Sequence, residues 1–171
     1  MMRVYVPATL AMLQRLIADG SMWPVNGTAF AVTPALRESY AEGDDEELGE
    51  VALREAALAS LRLLAAGDER RGELPPRRAV VVADVEEAEA VTPRPDLDDA
   101  VVRLRGPVAL DDVVAVFVDN AAAEAAVTAA IAAIDAADLG DEDAELIVGD
   151  AQDHDLAWYA TQELPFLLDL L

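Results

Sequence analysis

The chain reads as one α+β domain. Three strand-like runs, residues 80–82, 101–104 and 113–118, follow one another with no helix between them. A doubly wound parallel sheet would need a helical crossover at each step, so an open sheet built partly from neighbouring antiparallel strands is the better fit. The length agrees: 171 residues and 18.2 kDa form one domain's worth of chain, enough to bury a core without staples. Hydrophobic residues make up 54% and charged residues 27%, which is the composition of a folded chain.

The elements follow in order. Arg3, Val4, Tyr5 and Val6 form a strand stopped at Pro7. Thr9 is placed to cap a helix over 10–19, with Leu10, Leu13 and Ile17 at helical spacing and Gly20 closing it. Asn26-Gly27 is a turn signal ahead of a second strand over 28–33. Thr33 followed by Pro34 is a cap with proline at the first helical position, opening a helix over 34–40.

The longest helix starts at Asp44, Asp45, Glu46 and Glu47, where negative charge suits the macrodipole, and stops at Gly67. Glu50 and Arg54 are spaced as an i,i+4 pair. Leu53, Ala56, Leu63 and Leu64 make one apolar face. Val51, Leu58 and Leu61 make a second seam, expected to pack on a neighbouring helix.

Pro75-Pro76 marks a linker, and residues 79–83 form a strand whose three consecutive valines read as a buried run. Residues 85–99, rich in acids and carrying two prolines, read as a mobile loop. Strands over 101–104 and 113–118 flank a Gly106-Pro107 turn. Asn120 caps a helix over 121–137 with Val127, Ile131 and Ile134 as its stripe, ended by Gly140. Residues 141–148 are ambiguous between helix and strand. Residues 156–159 form a strand, and Thr161 caps a short apolar helix expected to dock on the domain.

The resulting expectation is a mixed sheet of about five or six strands with helices mainly on one face. The order strand, cap, helix, strand, Thr cap, helix fits both 3–40 and 113–171, which raises a weak internal duplication.

Charge and composition narrow the function classes. The net charge is −22 and the pI about 4.1. Such a surface repels phosphate backbones and anionic membranes, so neither nucleic acid nor membrane is an expected partner. Arg70-Arg71 and Arg77-Arg78 are the only basic doublets. The acids either serve a basic protein partner, imitate a nucleic acid, or simply solvate the surface. Every basic residue is arginine, and with the excess of Ala and Asp this points to a GC-rich coding sequence. The absence of cysteine removes disulfides and thiol chemistry and fits a reducing cytoplasm. Residues 1–20 do not have the pattern of a signal peptide, and the alanine-rich stretch 121–137 carries Glu124 and Asp135 and does not read as a membrane span.

Catalytic motifs are few. Without lysine there is no Walker-type site or Schiff-base chemistry, and with His154 alone there is no His-rich zinc site. No motif implies a cofactor. What remains is Asp150, Asp153, His154 and Asp155, followed by Trp158 and Tyr159. Three carboxylates beside the one imidazole could hold Mg²⁺ or Mn²⁺ or do acid–base work. They could equally be a solvated turn with local hydrogen bonds. The pairs Glu86-Glu87, Asp98-Asp99 and Asp111-Asp112 read as surface. Trp23, Trp158, Tyr5, Tyr40 and Phe30 either line a pocket or anchor the core.

Residues 2–9 (MRVYVPAT), 29–38 (AFAVTPALRE) and 153–159 (DHDLAWY) together resemble a family of uncharacterised conserved proteins from high-GC actinobacteria. The resemblance implies a cytoplasmic housekeeping or regulatory protein and transfers no functional residue. Two readings follow. The first is a non-enzymatic protein-interaction or regulatory module, expected to show an acidic face beside an exposed apolar patch. The second is a small-molecule-binding or metal-dependent enzyme centred on residues 150–159, expected to show a deep pocket holding His154 and carboxylates.

Overall fold

The computed structural model describes residues 1–67 and 74–171; the Arg70-Arg71 doublet lies outside them. Its centre is β1 (Met2–Ala8), which runs into α1 (Leu10–Asp19) through the Thr9 cap. Thr9 Oγ1 accepts from Met12 N at 3.3 Å, and the helix ends on Gly20 in the left-handed conformation. Then come β2 (Ser21–Met22), β3 (Thr28–Ala31), α2 (Pro34–Ser39) and the 22-residue α3 (Asp45–Ala66). Thr33 caps α2 and Asp44 caps α3, each through its side-chain oxygen.

The second half contains β4 (Ala79–Val85), α4 (Glu87–Ala90), β5 (Val91–Pro93), β6 (Val101–Leu104), β7 (Val108–Ala109) and β8 (Val113–Val118). It closes with α5 (Glu124–Asp138), α6 (Glu142–Gln152), β9 (Ala157–Tyr159) and α7 (Leu164–Asp169).

The α+β class is as the sequence indicates. The main sheet has seven strands in the order β5-β6-β3-β1-β4-β8-β9, and every pairing in it is antiparallel. β2 and β7 pair separately. This departs from the expected mixed sheet of five or six strands. The added edge strand β5 lies in the segment read as an acidic loop, where Val91 pairs with Leu104 and buries its side chain. Residues 141–148, ambiguous in the sequence, belong to α6, which Asp141 caps through Ala144 N.

Helices cover both faces of the sheet rather than mainly one. Val4, Val6 and Ala8 of β1 face α1 and α7, with Leu13, Leu16, Leu164 and Leu167 buried against them. Tyr5 and Val80 face the other way, toward α2 and α3, with Leu36, Leu48, Ala52 and Ala56. The valines of β4 are consecutive because that strand is covered on both faces, where alternation has no meaning. Leu58 and Leu61 of the second seam meet Val127, Ile134 and Val148 on α5 and α6, joined by Leu64 from the first face, whereas Val51 packs with Leu36 and Leu48 instead.

Around β4 the order is repeated with the faces exchanged. β1 leads through α1 to its antiparallel neighbour β3 and then α2. β8 leads through α5 and α6 to its antiparallel neighbour β9 and then α7. α1 and α7 share one face; α2 and α5 lie on the side of α3. The two units thus share the order strand, helix, strand, helix on exchanged faces, with α6 added in the second.

Two buried polar groups lock this frame. Ser60 Oγ donates to Ala8 O at 2.7 Å and accepts from Ala79 N at 3.0 Å, so α3 is pinned to the ends of β1 and β4. Arg78, one residue before β4, forms a forked ion pair with Asp119, one residue after β8, at 2.8 and 2.7 Å.

The C-terminal helix docks, but not through a Thr161 cap. Thr161 Oγ1 donates to Val113 O at 2.9 Å, and the Glu163 carboxylate accepts from Ala160 N at 3.1 Å instead. Asn120 likewise precedes its helix without a side-chain cap bond. Leu164 and Leu167 are buried, whereas Phe166 and Leu170 are 73% and 85% exposed. Leu164→Ala is therefore expected to cost about 2–5 kcal/mol in urea unfolding, and Phe166→Ala to stay within about 0.5 kcal/mol. Equal losses from the two substitutions would contradict docking through this face.

Candidate functional site

The sheet face under α3 is not covered evenly. α3 crosses β1 and β3, and α5 and α6 pack against its C-terminal half. Between the N-terminal half of α3 and the outer strands β8 and β9 lies an open cleft of about 1130 Å³. Its floor is built by strand alternation. Tyr5 pairs with Val82, Val82 with Ala115, Val80 with Phe117, and Phe117 with Trp158. These residues point to the same face, and Tyr5, Val82, Ala115, Phe117 and Trp158 line the cleft.

A register shift shapes its outer end. Val82 faces Ala115 while Ala83 faces Val113, so Val114 is the extra residue of a bulge. It stands partly exposed at the rim.

The wall formed by α3 comes close to the floor at Gly49. A β-carbon there would lie 2.8 Å from Tyr5 Oη, so only glycine lets the phenol sit beneath the helix. Burial raises the Tyr5 pKa above the ordinary tyrosine value; Arg3 opposes the shift and Asp84 adds to it.

The rim is acidic. Asp45, Glu46, Glu50, Asp84 and Glu87 border the cleft together with Arg3 and Arg37. Both arginines are engaged. Arg3 forms a fork with Asp84 at 3.0 and 3.2 Å, and Arg37 meets Asp45 at 2.9 Å. That leaves Glu46, Glu50 and Glu87 exposed and without an ion pair among the described residues. The Glu50–Arg54 pair suggested by spacing is not closed, and Glu50 faces the cleft.

The residues singled out in the sequence separate here. Asp150 sits exposed near the end of α6, and Asp153 and Asp155 are exposed in the following turn. His154 contributes its backbone carbonyl, which accepts from Arg78 Nη2 at 2.8 Å. Among the described residues, no three His, Asp or Glu side chains come together to hold a metal ion. Trp158 and Tyr159, adjacent on β9, point to opposite faces. Tyr159 packs against the α1 and α7 side, while Trp158 lies in the cleft, 57% exposed.

Of the other aromatics, Tyr5 lines the cleft and Phe30 anchors the core beneath α3. Trp23 and Tyr40 are exposed and lie outside the cleft lining. Phe117 was hidden inside an apolar strand. Glu46 and Glu50 read as helix-start and helix-surface charges, because they lie over a hundred residues from Trp158 and only the strand pairings bring them to its side. Among the described residues no helix is long and apolar enough to cross a membrane.

A family model described as a family of unknown function (DUF6912) matches residues 2–168. The chain belongs to that family. No curated protein and no solved structure matches it significantly.

The geometry at Gly49 has a consequence for pH. The Tyr5 phenol is raised in the folded state, so the unfolded chain ionises first as pH rises past about 10. Its contribution is intact below that pH, and stability falls as pH climbs toward the folded value. Ultraviolet titration is expected to show one phenol ionising above the ordinary range, absent in Tyr5→Phe. A Tyr5→Phe difference curve at ordinary tyrosine pKa would contradict burial under α3.

Proposed function

We propose that this chain is a non-enzymatic interaction module, and that a segment of a partner protein occupies the cleft between α3 and β9. One observation carries the reading. A sheet otherwise layered by helices leaves Trp158 exposed and Phe117 partly exposed on one stretch of one face, over a cleft bottomed by the buried Val82 and Ala115. Exposed apolar ground rimmed by polar groups is the usual mark of a docking surface. The cleft is open to solvent along its length rather than enclosed, which favours a chain segment over a metabolite. His154 does not line this cleft.

As part of the same reading we place the protein in the cytoplasm of a high-GC actinobacterium. Arginine as the sole basic residue and the lack of cysteine support that setting.

Site-specific photo-crosslinking in the native host tests the proposal. A crosslinker at Trp158 is expected to capture a discrete partner. The same group at Leu139, which is more exposed still on the α5–α6 turn, is expected to capture none. Identical products from both positions would overturn the reading. So would a rise in melting temperature with Mg²⁺ or Mn²⁺ that His154→Ala abolishes, since that outcome restores the metal-dependent alternative.

A further inference from the structure

We infer that the cleft's occupant is a basic segment, with an arginine or lysine seated on the Trp158 ring and neighbouring cations held by Glu46, Glu50 and Glu87. The inference rests on the interaction reading above and names the partner's chemistry.

The charge of the rim is the first support. Its two guanidiniums are consumed by Asp84 and Asp45, and three carboxylates remain open on the same rim. An anionic or acidic segment would meet these charges without compensation. A second copy of this chain is disfavoured for the same reason, because it brings another −22 and an identical acidic rim.

The second support is independent of the rim. Trp158 presents an open indole beside Phe117, and indole is the side chain whose face attracts cations most strongly. Trp and Tyr floors also favour arginine, whose planar guanidinium stacks while its fork meets a carboxylate. An aromatic floor with acids along one wall thus selects a segment that alternates apolar and basic residues. The wall acids and the floor come from different parts of the chain: Glu46 and Glu50 from the start of α3, Glu87 from α4, Trp158 from β9.

The test uses the full chain in a Trp23→Phe background, so that tryptophan emission reports on Trp158 alone. Three peptides of equal length are titrated: alternating Arg/Leu, Ser/Leu and Glu/Leu. The Arg/Leu peptide is expected to shift the emission saturably, and its affinity to fall with added salt as exposed charges are screened. Glu46→Gln/Glu50→Gln/Glu87→Gln, which retains side-chain shape, is expected to weaken binding about tenfold or more, and Trp158→Ala, read by calorimetry, to do likewise. The Glu/Leu peptide is expected not to bind. Equal binding by Ser/Leu and Arg/Leu would overturn the basic-segment inference while leaving the cleft as a docking site. Arg/Leu binding unaffected by either variant would place it on the general acidic surface and overturn the inference too. Failure of every peptide to perturb Trp158, with a discrete crosslinked partner still captured there, would show the cleft in use by a partner of other chemistry.

Discussion

Arg78 carries its guanidinium into the interior at 1% exposure, and Asp119 meets it at 0%. Asp119 accepts from the Arg78 backbone N as well as from Nε and Nη2, and Asp119 N donates back to Arg78 O. The remaining donors reach across to the second half of the chain. Nη1 donates to Gln152 Oε1 at 3.0 Å and Nη2 to His154 O at 2.8 Å. One side chain thus ties the start of β4, the end of β8, the end of α6 and the turn into β9. A buried pair of this kind gives little net stability over an apolar substitute. Loss of one member is severe, about 3–5 kcal/mol, because the other is left charged and buried. Its contribution here is geometric: it sets where α6 stops and β9 begins.

That geometry leads to the cleft. The turn held by Arg78 feeds directly into Ala157–Tyr159, a three-residue edge strand with little pairing of its own. Trp158 reaches the floor because β9 is in register with Phe117. On the other side, Ser60 fixes α3 against β1 and β4, and Gly49 lets the helix settle onto Tyr5. Floor and wall are therefore positioned by two polar anchors that meet at the start of β4, Arg78 and the Ser60 hydroxyl on Ala79 N. The space between them is left by the layering of the helices.

Much of this was legible locally. The capped helices announced themselves through Thr9, Thr33 and Asp44, whose side chains bond backbone amides three residues on. β4 and β8 were evident from their valine runs. Elements that depend on distant partners were not. β5 has three residues ending in proline, and only Leu104, Arg103 and Val102 on β6 make it a strand. α6 interleaves acids with the exposed Leu146 and Ile147, which blurs its stripe, and Ala144, Val148 and Ala151 become a buried face only against α5 and Leu61 of α3. Coverage of both sheet faces was implied by the consecutive valines of β4, yet that pattern does not say which helix goes to which side. At the site, the cluster at residues 150–155 drew attention through its residue types, but its structural role lies in a backbone carbonyl. Trp158 was visible as a candidate; its companions Phe117, Glu46 and Glu50 come from strands and helices far away in sequence. Arg77-Arg78 read as a basic doublet, because nothing local reveals that Asp119 lies opposite.

The central claim is that the buried Arg78 network positions β9, and with it the floor of the cleft. Native-state hydrogen exchange on Arg78→Met with Asp119→Leu, a pair that removes both charges without leaving one unpaired, tests it most directly. The account predicts that the core strands β1 and β4 keep their protection. The amides joining β8 and β9 around Phe117 and Trp158 should then exchange through a new local opening, at least about tenfold faster than in the native chain. Unchanged protection of β9 in a folded double variant would contradict the account, and would show that β9 is held by β8 alone.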